Sequence, residues 1–377
     1  MLLRAFGPDT ATAPTGVDFI AALALAERLG LTARIGVRAR QAPEIQAASL
    51  ENRQVVAALA RASQVAAVSQ LQARELVIEI AATARASGIP CCFLKGAALD
   101  AMGVLASGSR ILGDVDVLVP ERFAPALATA LEARGFRAGA TDEYPHQLPG
   151  LVHPLLGMVE LHRHLPGMAK PGARGFATFD ELAASGMLVP CDELGEGAAV
   201  PVRAALLAHL LAHGLAQHGF QPMAYPAMRL VGDGIDLGLA GEGGDELLDV
   251  ALPWIEGSVP IEEALAVATL CRQLAAGDVP DHEGHAGLLL RHLLAGRLDA
   301  RYAEALKLIQ LAHPLTPASS LASHWATLKE LLVLSRAQVD LIYGKPRSAW
   351  GYLGWRLLRP FDLLRRGARA LYAAARH

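Results

Sequence analysis

The chain has 377 residues, of which 53% are hydrophobic, 19% charged and 5% aromatic. That is ample apolar side chain for a core, and the length suits two or three domains. A net charge of −3 with a pI near 6.5 supplies no basic field, so a nucleic-acid polymer is not expected as a partner. Mean hydropathy is high at +0.31, yet no run of about 18 residues escapes a charge, a histidine, a glycine or a proline, which argues against a spanning helix.

The N-terminus carries one basic residue and reaches Asp9 before any long apolar run, unlike a secretory signal, so a cytoplasmic location is expected. The four cysteines, Cys91, Cys92, Cys191 and Cys271, form neither a C-x-x-C pair nor a disulfide framework, and read as reduced and buried. Residues 1–88 read as a helical region. Val17–Leu29, Pro43–Arg61 and Ser63–Ser87 are its segments, the last with apolar side chains at three- and four-residue steps. Gly88 and Pro90 end that run.

Residues 89–165 change texture to short β-branched runs broken by glycines and prolines, an α/β core. Ile89–Gly96 predicts a buried strand feeding a helix over Ala97–Leu105, with Lys95 adding charge beside a turn suited to phosphate. In Gly113-Asp114-Val115-Asp116-Val117-Leu118-Val119 the strand period of two places Asp114 and Asp116 on one face, about 7 Å apart. Such carboxylates either line a wet edge strand or share hard cations. The buried continuation through Leu118 and Val119 favours cations, because unpaired interior carboxylates are costly.

Glu121–Arg134 predicts an amphipathic helix with Pro125 in its first turns. The stretch from Asp142 to His153 reads as a hairpin, with His146 and His153 as lesser site candidates. It leads to Gly157-Met158-Val159-Glu160-Leu161-His162, where Glu160 and His162 share a face. If this strand lies beside the aspartate strand, a third carboxylate joins the pair, a set suited to in-line nucleotidyl transfer.

Residues 166–200 are rich in glycine, proline and alanine and read as a connecting loop, followed by a helical lobe over 201–344. There His209 and His213 lie one helical turn apart, but Leu210 stands where a zincin needs glutamate, so that reading fails. The tail, 345–377, holds eight basic residues and one acidic one, a local charge of +7 that leaves −10 on the rest. With Trp350, Tyr352, Trp355, Phe361 and Tyr372 interleaved, it either docks on its own acidic body or makes peripheral contact with an anionic membrane.

The order Leu94-Lys95-Gly96-Ala97, Arg110, Asp114-x-Asp116, Arg134-Gly135-Phe136 and Val159-Glu160-Leu161-His162 resembles the nucleotidyltransferase superfamily. More narrowly, it is similar to the bacterial group of uncharacterised nucleotidyltransferases. The resemblance implies an α+β fold, a small mixed sheet flanked by large helical N- and C-terminal regions. It implies a nucleoside triphosphate and Mg²⁺, two ions, with Asp114, Asp116 and Glu160 as metal ligands and catalytic residues. Lys95, Gly96, Arg110 and His162 would bind the nucleotide, Lys95 or Arg110 alternatively pairing with Asp114. His209, His213 and Asp233 would border the cleft. The expected reaction moves a nucleotide, AMP, onto a hydroxyl of a small molecule, peptide or protein. Ala97 replaces the serine that many superfamily members carry at the phosphate turn. The alternative is therefore a degenerate fold that binds nucleotide or a partner without transfer.

Overall fold

The computed structural model describes residues 19–41, 50–139, 146–217 apart from 174, and 228–278, with scattered positions in 284–290 and 348–361. The chain divides into two compact units, Met1–Pro171 with Phe176–Arg297, and Gly172–Gly175 with Leu298–His377. In the second, residues 351–355, 357–359 and 361 are helical, and most of the basic tail lies outside the described residues. No helix among the described residues is long and apolar enough to cross a membrane.

The first unit opens with α1 (Phe19–Arg28), α2 (Thr32–Gln41) and α3 (Leu50–Ala86). The short, arginine-rich α2 is apolar along one stripe only and does not show as an Ala/Leu run. It is held by close packing: a Cβ on Gly36 would run into the carbonyl oxygen of Leu59 on α3. The sequence predicts a break at Ala62, but α3 runs straight through, and the buried Ser63 hydroxyl is satisfied within the helix by donating back to the Ala60 carbonyl at 3.3 Å. Gly88, at φ +65°, ends the turn beyond α3, where the Ile89 N–H reaches the Ala84 carbonyl.

The strands are β1 (Cys91–Phe93), β2 (Asp114–Leu118), β3 (Arg137–Ala138), β4 (Leu151–His153), β5 (Gly157–His162), β6 (His164–Leu165), β7 (Ala177–Thr178), β8 (Leu188–Pro190) and β9 (Ala198–Pro201). Seven of them form one mixed sheet in the order β3-β4-β5-β2-β1-β9-β8, while β6 and β7 pair separately. β2 is the central strand, antiparallel to β1 and parallel to β5. The fold is thus the α+β arrangement that the resemblance implies.

Two expectations need correction. Residues 166–200 are not simply a loop, since β8 and β9 extend the sheet beyond β1. Strands this short, in Ala- and Pro-rich sequence, leave no alternation to read. The helix expected over Ala97–Leu105 is α4, Lys95–Ala101, and the chain turns at Gly103 with φ +69°. The helix after β2 is close to expectation, one 3₁₀ turn (Glu121–Phe123) leading into α5 (Ala124–Ala133). A short α6 (Phe179–Ala184) precedes β8.

Beyond the sheet come α7 (Arg203–Leu211), a π-helical stretch over Ala212–Gln217, α8 (Arg229–Asp236), α9 (Gly244–Ala251) and α10 (Ile261–Ala276). α7 packs on α4, α8 and α9, and α8 packs on α10. Every residue of α7 from Ala204 to Leu211 is buried, so this helix is interior and its only polar side chain there is His209.

Candidate active site

The site grows from the β2–β5 register. In that parallel pair Asp116 lies opposite Glu160, Asp114 opposite Met158 and Leu118 opposite His162. Directly paired residues share a face, so Asp114, Asp116, Glu160 and His162 all project to one side of the sheet. Val115, Val117, Val159 and Leu161 fill the other side, none more than 1% exposed.

Asp116 is the hub. Its Oδ1 receives Lys95 Nζ at 2.7 Å and His162 Nε2 at 2.8 Å. Burial opposes its ionisation, but the Lys95 charge and the His162 hydrogen bond outweigh burial and hold the carboxyl well below the usual range. An ionised carboxylate can only accept, so His162 Nε2 carries the hydrogen.

The other two acids behave oppositely. Glu160 is pushed up, chiefly by burial and then by the Asp116 charge. Asp114 reaches solvent at the start of β2 yet has enough protein around it that desolvation, followed by the Asp116 charge, pushes it up as well. Both acids therefore hold a proton more readily than ordinary carboxyls, while Asp116 between them stays ionised. One donor atom each from Asp116, Glu160 and His162 lies within 4.8 Å of the others, so the donors are gathered for an ion.

Lys95 reaches Asp116 because β1 runs antiparallel beside β2 and stops two residues earlier, with the Leu94 N–H on the Asp116 carbonyl at 3.0 Å. Its backbone has φ +47°, a left-handed conformation that a lysine adopts only under constraint. Next to it, a Cβ on Gly96 would stand 2.5 Å from Leu112 Cδ2 and 3.3 Å from Arg110 Cζ, so only glycine leaves the Arg110 guanidinium this close to the turn.

Arg110 does not pair with Asp114, the alternative the sequence leaves open. Arg110 Nη1 donates to Asp233 Oδ1 at 2.8 Å, between residues 123 apart in sequence. Burial pushes the Asp233 carboxyl up, and Arg110 and then Arg229 counter it. Arg229 and Arg110 also act on Asp114, so α8 faces the carboxylates.

The loop that carries Arg110 is fixed by residues that no motif signals. Ser69 Oγ on α3 donates to the Leu112 carbonyl at 2.5 Å and accepts the Leu112 N–H at 2.8 Å. Gln70 donates to the Ala106 carbonyl at 3.4 Å and accepts the Gly108 N–H at 2.7 Å. On the far side, Arg34 of α2 grips Asp236 of α8 across Gly232.

The histidines separate into two groups. His146 stacks on His162 with ring centroids 6.1 Å apart, and burial lowers it to about 3. His153 stands elsewhere, packed against Phe136 at 5.1 Å, and drops out of the site. His209 and His213 lie 6.0 Å apart, centroid to centroid. His209 is lowered to about 3 by burial and then by Lys95, His162 and His146, with Asp116 opposing, and its helix α7 packs on α4, which carries Lys95.

Residues 15–231 match the uncharacterised nucleotidyltransferase family. The chain belongs to that family. No curated protein matches it. The matched span contains every site residue expected from sequence except Asp233, and a general role in nucleotidyl transfer goes with membership. Nucleotidyltransferases generally use divalent metals, and the residues here fit one: oxygen and imidazole donors gathered around Asp116, with Asp114 and Glu160 pushed up first by burial and then by the Asp116 charge, both of which a cation would offset.

Proposed function

We propose that the protein is a Mg²⁺-dependent nucleotidyltransferase that moves AMP from a nucleoside triphosphate to a hydroxyl of a small molecule, peptide or protein. The observation that carries this reading is the pairing of Asp116 with Glu160 in the β2–β5 register, with Asp114 on the same face. Asp114, Asp116 and Glu160 would hold two Mg²⁺ ions, which, when bound, offset charge on the triphosphate and on the attacking oxygen.

His162 orients Asp116 through its hydrogen bond, as outer-sphere partners of metal ligands do. Lys95 and Arg110 supply cations for the phosphates, and Gly96 allows close approach to the turn. Glu160 serves as the third metal ligand or as the base that takes the hydroxyl proton. The acceptor oxygen bonds to the α-phosphorus as the bond from that phosphorus to the pyrophosphate oxygen breaks, and pyrophosphate leaves.

Isothermal titration with ATP and Mg²⁺ tests the site. The Asp114→Asn, Asp116→Asn double variant is expected to lose ATP–Mg²⁺ binding, and binding equal to that of the native protein would remove these residues from the role. Pyrophosphate release from labelled nucleotide separates transfer from binding alone.

A further inference from the structure

His209 is 2% exposed, and neither of its ring nitrogens has a hydrogen-bond partner among the described residues. Buried polar atoms are nearly always satisfied, and one left without a partner costs stability that a leucine in the same place would not. It is also the one polar side chain in the buried body of α7, where any apolar residue would pack. Three residues further on the chain widens into the π-helical stretch Ala212–Gln217, a feature that accompanies functional sites.

The surroundings narrow the ligand. The groups that act on His209 are Lys95 on α4, Asp116 on β2, His162 on β5 and His146 before β4, and His213 is its ring neighbour. Burial, and after it the Lys95 charge, disfavour a positive charge on the ring, so it is neutral and offers one N–H. Around the same carboxylate face stand Arg110 and Arg229. A ligand group lying between Lys95 and a neutral N–H donor, with Arg110 and Arg229 acting on the same face, is one with acceptor oxygens and negative charge.

We infer that His209 is a phosphate-binding residue, donating its ring N–H to an oxygen of the same polyphosphate that Lys95 holds. This rests on the nucleotidyl-transfer reading above and adds to it a contact from the helical lobe. It also explains why an unsatisfied imidazole persists inside α7: the partner arrives with the substrate.

The test compares native protein with His209→Leu and His209→Gln, using ATP with Mg²⁺ and inorganic tripolyphosphate with Mg²⁺ as probes in titration calorimetry, alongside thermal melts without ligand. The leucine variant is expected to melt higher than native protein and to bind both probes about tenfold to a hundredfold more weakly, the loss of one hydrogen bond to a charged group. Glutamine, which retains an N–H donor, is expected to recover part of that affinity. Unchanged affinity for both probes in the leucine variant would overturn the assignment while leaving the nucleotidyl-transfer reading intact. Weaker ATP binding with undiminished tripolyphosphate binding would overturn it too, moving the contact to the nucleoside. Native protein that binds neither probe would bring down both readings.

Discussion

Replacing Lys95 with methionine should change metal and nucleotide affinity in opposite directions. In the structure Lys95 Nζ lies 2.7 Å from Asp116 Oδ1, with side-chain exposures of 13% and 3%. At that separation the gross attraction is about 1.5 kcal/mol in water and about 6 kcal/mol at an effective dielectric of 20. A divalent ion arriving at Asp116 competes with that ammonium. Removing it frees the oxygen and also removes a like charge next to the ion. Even the lower figure corresponds to about a tenfold gain in affinity for a metal alone. The triphosphate, by contrast, loses a cation. Mn²⁺ binding followed by electron paramagnetic resonance should therefore tighten at least about tenfold in Lys95→Met, while ATP binding weakens by a similar factor. Lys95→Gly serves as the control. It removes the same charge and relieves the φ +47° strain, worth about 1–2 kcal/mol, so it should show the same Mn²⁺ gain with a higher melting temperature than the methionine variant. If metal and nucleotide affinity fall together, Lys95 merely props Asp116 in place, and the competition argument is wrong.

Arg110→Met leaves Asp233 buried without its 2.8 Å partner and should cost about 3–5 kcal/mol in urea denaturation. Adding Asp233→Asn should recover part of that, and a cost under about 1 kcal/mol would refute a structural role for the pair. Of the four cysteines, Cys91, Cys92 and Cys271 are buried, and burial holds Cys91 and Cys271 near 12 and Cys92 well above its usual value; Cys191 is half-buried. One thiol should react with a disulfide reagent in native protein at pH 8, and all four in denaturant. The acids give a signed pH dependence. Asp114 and Glu160 hold protons more tightly folded than unfolded, so in chelator they oppose folding above the ordinary carboxylate range. Asp116 works the other way, stabilising at neutral pH and losing that contribution as pH falls. An Asp114→Asn, Glu160→Gln variant should melt above native protein at pH 7, with the gap closing towards pH 4 and narrowing when Mg²⁺ is added. A variant less stable than native protein at pH 7 would contradict the shifts.

The carboxylate face was legible because strand alternation is local: Asp114-x-Asp116 and Glu160-x-His162 each announce a shared face within a few residues. Their being neighbours in one sheet needed only two adjacent parallel strands, a common arrangement. What stayed hidden depends on contacts distant in sequence. Nothing near Arg110 points to Asp233, and nothing near Ser69 and Gln70 marks them as the residues that fix the Arg110 loop. The Lys95–Asp116 pair follows from the antiparallel seating of β1 on β2, and β1 is three residues long. α2 escaped because it is short and polar on average and does not form an Ala/Leu run, and β8 and β9 because short Ala- and Pro-rich strands have no period to detect. The histidines of α7 were visible as a pair, but their interior setting came only from the packing of α7 on α4, α8 and α9.

The pairing of β2 with β5 also guards the fold against its own errors. Sliding β5 by one residue along β2 would turn Glu160 and His162 into the apolar layer and bring Val159 and Leu161 out beside Asp116. Such a misfolded pairing would bury a carboxylate with no cation in reach, at a cost that hydrophobic gain elsewhere could not offset. The polar residues needed for chemistry thus act as an alignment key for the two strands.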